Sequence, residues 1–171
     1  MFKRQRGIVV LKLETFEVEV LDQLFDQMIA LVEVEPMPVE DPLERLVGLN
    51  GPSIKPSDSA LARLFPDAYH DDHEAAADFR RYTEHEMRNT KAMKARISQS
   101  LLHEWPGKRE LTHDQAMAWL LSLNDMRLAL GTRLDITDDR EDRNEENAPG
   151  YEMYDWLTYL QGTLVDSLTK N

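Results

Sequence analysis

Residues 111–130 read LTHDQAMAWLLSLNDMRLAL and join a helix start to the most apolar helical stretch of the chain. Thr112 and Gln115 have the spacing of a capping box, in which each side chain accepts a hydrogen bond from a backbone N–H that the first turn leaves unpaired. The apolar residues that follow recur at helical spacing, at Trp119, Leu120, Leu123, Leu128 and Leu130. The stretch therefore predicts a helix over residues 113–130.

Helical periodicity recurs on both sides of this stretch and predicts further helices over residues 16–33, 72–104 and 151–168. Thr15 is the candidate N-cap of the first of them. The second is long, and its polar middle, residues 84–90, predicts a bend or a split. Helices of this number and length predict a fold that is mainly α.

The N-terminus has the shorter period of a β-strand. Residues 2–6 and 8–13 read as two strands around Gly7, because Val9, Leu11 and Leu13 alternate with the residues between them. A β-hairpin is therefore predicted over residues 2–13. Together with the helices it predicts one domain over residues 1–171, a helical bundle with a small N-terminal β-hairpin against it.

Two connections have distinctive compositions. Three prolines between residues 36 and 42 predict a stiff, extended segment, and a short helix is expected over residues 43–47. Residues 135–147, DITDDREDRNEEN, hold seven acids and two bases and have a net charge of −5. Because so polar a stretch has little to bury, it is predicted to be a mobile acidic loop.

The composition excludes several classes of protein. The 171 residues include 20 Lys and Arg against 32 Asp and Glu, a formal charge of −12, which disfavours a protein that coats DNA. The absence of cysteine excludes disulfides, thiol nucleophiles and cysteine-based zinc sites within these residues. Neither a signal peptide nor a membrane span is recognisable, so a cytoplasmic location is expected.

A basic strip interrupts the acidic chain. It consists of Arg80, Arg81, Arg88, Lys91, Lys94 and Arg96, with only Glu84 and Glu86 among them. Two interpretations stay open: a docking surface for an acidic partner or a phosphate backbone, or the solvated face of an amphipathic helix. If the strip is a docking surface, reversing the charge of Arg80, Arg81 and Arg88 is expected to remove partner binding and leave the fold intact.

A second polar group, Asn124, Asp125 and Arg127, lies inside the most apolar helix. Because buried polar groups need hydrogen-bond partners, a structural clasp is predicted, with Asp125 paired to an arginine of a neighbouring helix. The alternative is a ligand pocket that these residues line with Trp119 and Trp156, since helical bundles hold sites between helices.

Metal binding is the weakest of the chemical interpretations. His70, His73 and Glu74 share one helical face, but a zinc site needs three or four convergent ligands, and a helix start rich in acids explains the same residues. No metal or other cofactor is therefore expected.

The last helix has aromatic residues on more than one face, which predicts a homodimer through it or internal packing. These residues are Tyr151, Tyr154, Trp156 and Tyr159.

Four segments resemble an actinobacterial family of domains of unknown function that includes AosR-like oxidative-stress transcriptional regulators. They are LARLFPDAY from residue 61, FRRYTE from residue 79, LNDMRLALGTRL from residue 123 and YDWL from residue 154, and the resemblance covers most of residues 41–168. It implies a cytoplasmic regulator linked to an alternative sigma factor and to cysteine-biosynthesis genes. The cysteine redox switch known in that family has no counterpart in this sequence.

Three functions follow from the residues and the resemblance together. The first is a non-enzymatic regulator of stress-responsive transcription that acts through a protein partner, a sigma factor or RNA polymerase. Direct DNA binding is expected to be weak, because the nearest helix-turn-helix candidate, residues 105–112, leads into an apolar helix. The others are a small-molecule-binding protein with a pocket near Asn124 and Arg127, and a metal-assisted enzyme.

Overall fold

The structure is a computed structural model that describes residues 1–33, 54–103, 107–137 and 143–169. The elements in these residues are β1 (Phe2–Gln5), β2 (Ile8–Lys12), α1 (Thr15–Val32), α2 (Ser59–Leu64), α3 (His73–His103), β3 (Lys108–Leu111), α4 (His113–Arg133) and α5 (Ala148–Thr169). The predicted fold class is confirmed, because most of the described residues are helical and the strands form one small sheet.

Helix α4 contacts α2, α3, α5 and, less extensively, α1 and β3. The predicted capping box forms at its start: Thr112 N donates to Gln115 Oε1 at 2.9 Å, and Gln115 N donates to Thr112 Oγ1 at 3.2 Å. Trp119 is completely buried, and the rings of Phe2 and Phe25 meet it edge-on at 5.5 and 5.2 Å. Through these ring contacts, Trp119 packs α4 against both the sheet and α1.

The sheet has three antiparallel strands in the order β1-β2-β3, one more than the predicted hairpin. In β3 only Leu111 is buried, opposite Val9 of β2, so its sequence lacks the alternation that identifies a strand. Arg6 and Gly7 have φ angles of 51° and 86°. Positive φ at both residues of a two-residue turn suits the twist of a hairpin, and glycine adopts it without steric cost.

Helix α1 has a different cap from the expected one. Glu14 is its N-cap and Thr15 its first residue, and Glu14 N donates to Glu17 Oε2 at 2.7 Å. Asp72 Oδ1 accepts a hydrogen bond from Ala75 N at 2.9 Å at the start of α3. Helix α3 then runs unbroken from His73 to His103, so it does not split at residues 84–90.

The last two helices are longer than expected, since α4 continues to Arg133 and α5 begins at Ala148. They approach closely at Gly131, where an added Cβ would lie 3.1 Å from the ring of Tyr154. Within the described residues, no helix is long and apolar enough to cross a membrane. The segments predicted over residues 36–42 and 43–47, and the middle of the acidic loop, lie outside the described residues.

Candidate functional site

The centre of the basic strip is a buried ion cluster. Glu84 is completely buried and Arg80 is 5% exposed. Arg88 donates to Glu84 Oε1 from Nη2 at 2.6 Å and from Nε at 2.8 Å, and Arg80 donates to the other carboxylate oxygen. Residues four apart lie on the same helical face, so the order Arg80, Glu84, Arg88 places a base one turn away on either side of the acid.

The two arginines also tie α3 to the preceding segments. Arg80 Nη2 donates to Asp67 Oδ1 at 2.7 Å and to the carbonyl oxygen of Phe65 at 3.1 Å. The hydrogen bond from Arg80 lowers the pKa of the Asp67 carboxyl. Arg88 Nη1 donates to the carbonyl oxygen of Val32, the last residue of α1, at 3.0 Å, and its guanidinium lies 4.6 Å from the centre of the Phe65 ring.

These contacts correct the predicted docking surface. The guanidinium of Arg80 is inside the protein, and that of Arg88 is nearly so, because both compensate the charge of Glu84. Charge reversal at either would bring a second carboxylate against a buried one, so we expect loss of fold rather than selective loss of binding. The predicted partner-binding residues Arg81 and Lys94, on the same helix, are half-buried.

Another member of the strip contacts the second predicted polar group. Lys91 Nζ donates to Asp125 Oδ1 at 2.7 Å, between side chains that are 24% and 9% exposed. Burial raises the pKa of the Asp125 carboxyl, and the nearby ammonium of Lys91 opposes that rise. Asp125 therefore forms an inter-helix ion pair as expected, but with a lysine of the basic strip instead of an arginine.

Asn124 and Arg127 make contact with α5. Arg127 Nε donates to Thr158 Oγ1 at 2.8 Å, a second nitrogen donates to Gln161, and the guanidinium lies 5.2 Å from the centre of the Tyr154 ring. Gln161 Nε2 lies 3.5 Å from Asn124 Oδ1. The geometry is that of a polar clasp between α4 and α5.

The predicted lining of a pocket is not brought together. Trp119 lies in the core between Phe2 and Phe25, while Trp156 is on α5 and its Nε1 donates to Glu17 Oε1 at 3.3 Å. The two indoles therefore contact different residues, and the side chains of Asn124 and Arg127 form their hydrogen bonds with α5.

An apolar cavity of about 530 Å³ lies elsewhere, between α1, α4 and α5. Its walls include Met28, Met126, Leu130 and Met153, with Arg133 at its edge. The sequence alone does not reveal this cavity. Periodicity shows which face of each helix is apolar, but not where three such faces meet without filling the space between them.

The structure also describes the candidate metal ligands and the aromatic residues of the last helix. His70, His73 and Glu74 are exposed around the start of α3, and no group of three acids or histidines in the described residues is arranged to hold a metal ion.

On α5, Tyr151 is buried, Tyr154 packs against Gly131 and Arg127, and Tyr159 is 51% exposed. Internal packing thus accounts for most of these aromatics, and a homodimer through α5 stays a prediction.

Comparison with known proteins gives one consistent result. The chain is 33% identical over 167 residues to the oxidative stress regulator AosR of Mycobacterium tuberculosis, an alignment that covers 87% of this chain and 77% of the relative. It is 34% identical over 170 residues to the putative oxidative stress regulator AosR of Mycobacterium leprae, with 89% and 78% covered. No solved structure matches it. Because residues 1–168 match the family model described as a domain of unknown function, DUF2017, the chain belongs to that family.

Proposed function

We propose that this protein is a non-enzymatic cytoplasmic regulator of stress-responsive transcription that acts through a protein partner, a sigma factor or RNA polymerase. The observation that carries the proposal is the similarity, along almost the whole chain, to mycobacterial proteins named oxidative stress regulators. Those names support a regulatory role. The proposal goes beyond those names in specifying a protein partner and regulation through direct contact with it.

The structure favours a protein partner over DNA. Strand β3 lies within residues 105–112, so a strand rather than a helix and turn leads directly into α4. A recognition helix presents polar and basic residues to the major groove, whereas α4 buries its apolar face and directs its polar side chains to α3 and α5. Arg80, Arg88 and Lys91 are likewise committed to internal ion pairs.

The mode of regulation differs from a disulfide switch. These 171 residues contain no cysteine, so oxidation cannot change their conformation by forming an internal disulfide. A regulator of this composition responds through its partner, its abundance or a bound ligand. We therefore place thiol-based redox sensing outside these residues.

The test is a pull-down from the native host, with this protein as bait, nuclease treatment of the lysate and identification of bound proteins by mass spectrometry. We expect a sigma factor or RNA polymerase subunits to be retained after nuclease treatment. Their disappearance upon nuclease treatment would show that DNA, not protein contact, connects them to the bait. A purified candidate partner must then bind the purified protein directly, which excludes a bridging factor.

A second candidate function rests on the apolar cavity. Its volume of about 530 Å³ is in the range of small-molecule sites, which are about 300–1,000 Å³ and mostly apolar. A ligand present at 100 times its Kd stabilises a protein by about 2.7 kcal/mol, so a thermal-shift screen of apolar compounds tests this function. The matched variant is Ala30→Phe, at the exposed edge of the cavity. A shift that persists in this variant arises from another site.

A further inference from the structure

A group of positive charges without acidic partners among the described residues is concentrated on the sheet. Residues 1–13 contain four bases and no acid, whereas the whole chain has a formal charge of −12. In the described residues, no carboxylate forms an ion pair with any of five sheet cations: Lys3, Arg4, Arg6, Lys12 and Lys108. By contrast, the helical cations Arg80, Arg88, Lys91, Arg96 and Arg133 all pair with acids.

The strand register places three of these ammonium groups on the outer face of the sheet. Lys3 is opposite Val10, and Lys12 is opposite Lys108, while Phe2, Val9 and Leu11 occupy the alternate positions and are buried in the core. Because neighbouring residues of a strand point to opposite faces, the three lysines point away from the bundle. All three are exposed, and Lys108 donates a hydrogen bond to the amide oxygen of Gln5.

A groove of about 630 Å³ runs between this face and the start of α1. Val10 and Leu13 lie at its base but are almost completely buried, and the exposed lysines Lys3, Lys12 and Lys108 form its walls. One acid, Glu14, lines the groove, and another, Glu110, is opposite Val10. The groove thus presents an excess of positive charge to solvent.

We propose that this groove binds a carboxylate-rich segment of a protein partner, with acidic side chains on the ammonium groups of Lys3, Lys12 and Lys108. The proposal rests on the proposed function, because it assigns the surface on which that partner docks. Complementary charge at an interface steers association and suppresses incorrect partners. The sheet therefore replaces the basic strip of α3 as the docking surface.

The same charges suit a short acidic segment better than a nucleic acid. Duplex DNA has one negative charge per ~1.7 Å and extends well beyond a groove of three lysines. Its phosphates would meet Glu14 and Glu110 and the acidic remainder of the molecule. Screening limits the effect of distant charges to about 8 Å at physiological ionic strength, so a short segment within the groove is insulated from that remainder.

The experiment measures fluorescence anisotropy of a short fluorescein-labelled peptide of glutamate and leucine added to the purified full chain. A peptide with glutamine in place of glutamate is the composition control, and a labelled DNA duplex is the alternative probe. The variant is Lys3→Glu combined with Lys12→Glu and Lys108→Glu. Its matched control is Arg63→Glu combined with Lys94→Glu, because neither residue forms an ion pair within the described part of the chain. Circular dichroism verifies that both variants fold.

We expect the triple variant to weaken peptide binding by about tenfold or more, since three charge contacts of a few tenths to 1 kcal/mol each are reversed. The control variant should bind within about twofold of the wild type, and binding should weaken as salt rises. Equal losses in both variants, unchanged binding in the triple variant, or tighter binding of the duplex than of the peptide would each overturn the proposal.

The two proposals fail in different ways. If wild type and triple variant retain the sigma factor or polymerase equally in the pull-down, the regulatory function stands and the sheet is not its docking surface. If the wild type retains neither protein, the proposed function fails, whatever the peptide does. Loss of the partner in the triple variant alone supports both.

Discussion

Lys91 Nζ lies 2.7 Å from Asp125 Oδ1 and connects the middle of α3 to the middle of α4. In the sequence, the lysine belongs to a basic strip that resembles a docking surface, and the aspartate belongs to a polar group that resembles a pocket. In the structure they neutralise each other. The two features therefore meet in one ion pair that joins the two helices.

Replacing Lys91 with methionine should destabilise the protein by about 2 kcal/mol at pH 7. Breaking a fully buried ion pair costs about 3–5 kcal/mol, and Lys91 keeps some contact with water. Burial already raises the pKa of Asp125, and loss of the lysine should raise it further. A raised carboxyl pKa lowers stability as the pH increases from about 4 through the folded-state value.

Urea unfolding at pH 4 and pH 7 measures both effects. The destabilisation by Lys91→Met should be smaller at pH 4, where a larger fraction of Asp125 is protonated than at pH 7. Lys94→Met is the control and should change stability by about 0.5 kcal/mol or less, because Lys94 has no ion pair among the described residues. A loss that is the same at both pH values would contradict the assignment.

Replacing Glu84 with glutamine keeps the shape of the side chain and removes its charge. The guanidinium groups of Arg80 and Arg88 would then lose the carboxylate that they share. We expect a loss of about 3 kcal/mol in the free energy of unfolding, as for other buried ion pairs broken on one side. Glu86→Gln, at an exposed position of the same helix, is the matched control. Equal effects of the two substitutions would show that Glu84 has no special role.

Acid should weaken the attachment of residues 54–67 to α3. The hydrogen bond from Arg80 lowers the pKa of Asp67 in the folded state. A lowered carboxyl pKa contributes stability that is present above the unfolded value of about 3.9 and is lost as the pH falls through the folded value. The Asp67→Asn variant lacks this contribution, so its Tm should fall less than that of the wild type below about pH 4. Parallel Tm profiles across this range would refute the coupling.

Trp119 should be energetically coupled to Phe2. Edge-to-face aromatic pairs contribute about 0.5–1.5 kcal/mol beyond buried area, and these rings are 5.5 Å apart. A double-mutant cycle with Trp119→Leu and Phe2→Leu should therefore give an interaction energy of about 1 kcal/mol. Phe79→Leu replaces Phe2→Leu in the control cycle, because Phe79 is on α3 and has its ring contact with Tyr69. Additive effects in the first cycle would mean that the sheet and α4 are stabilised independently.

Much of the fold could be predicted from local patterns. The capping box at Thr112 and Gln115 depends only on residues three apart, and it forms as expected. The hairpin turn at Gly7 and the four long helices are likewise encoded by short-range periodicity. By contrast, β3 was missed because its identity as a strand depends on pairing with β2, about a hundred residues earlier in the chain. No local period records such a pairing.

The candidate site depended far more on tertiary structure. The sequence by itself determined the absence of thiol chemistry, the acidic charge, and the helical faces on which Arg80, Glu84 and Arg88 lie. Only the tertiary structure decided which of the charges are neutralised, because ion pairing is set by distances between side chains on different elements. Those distances pair Arg80, Arg88 and Lys91 of α3 with acids inside the protein and leave the lysines of the sheet exposed at the surface.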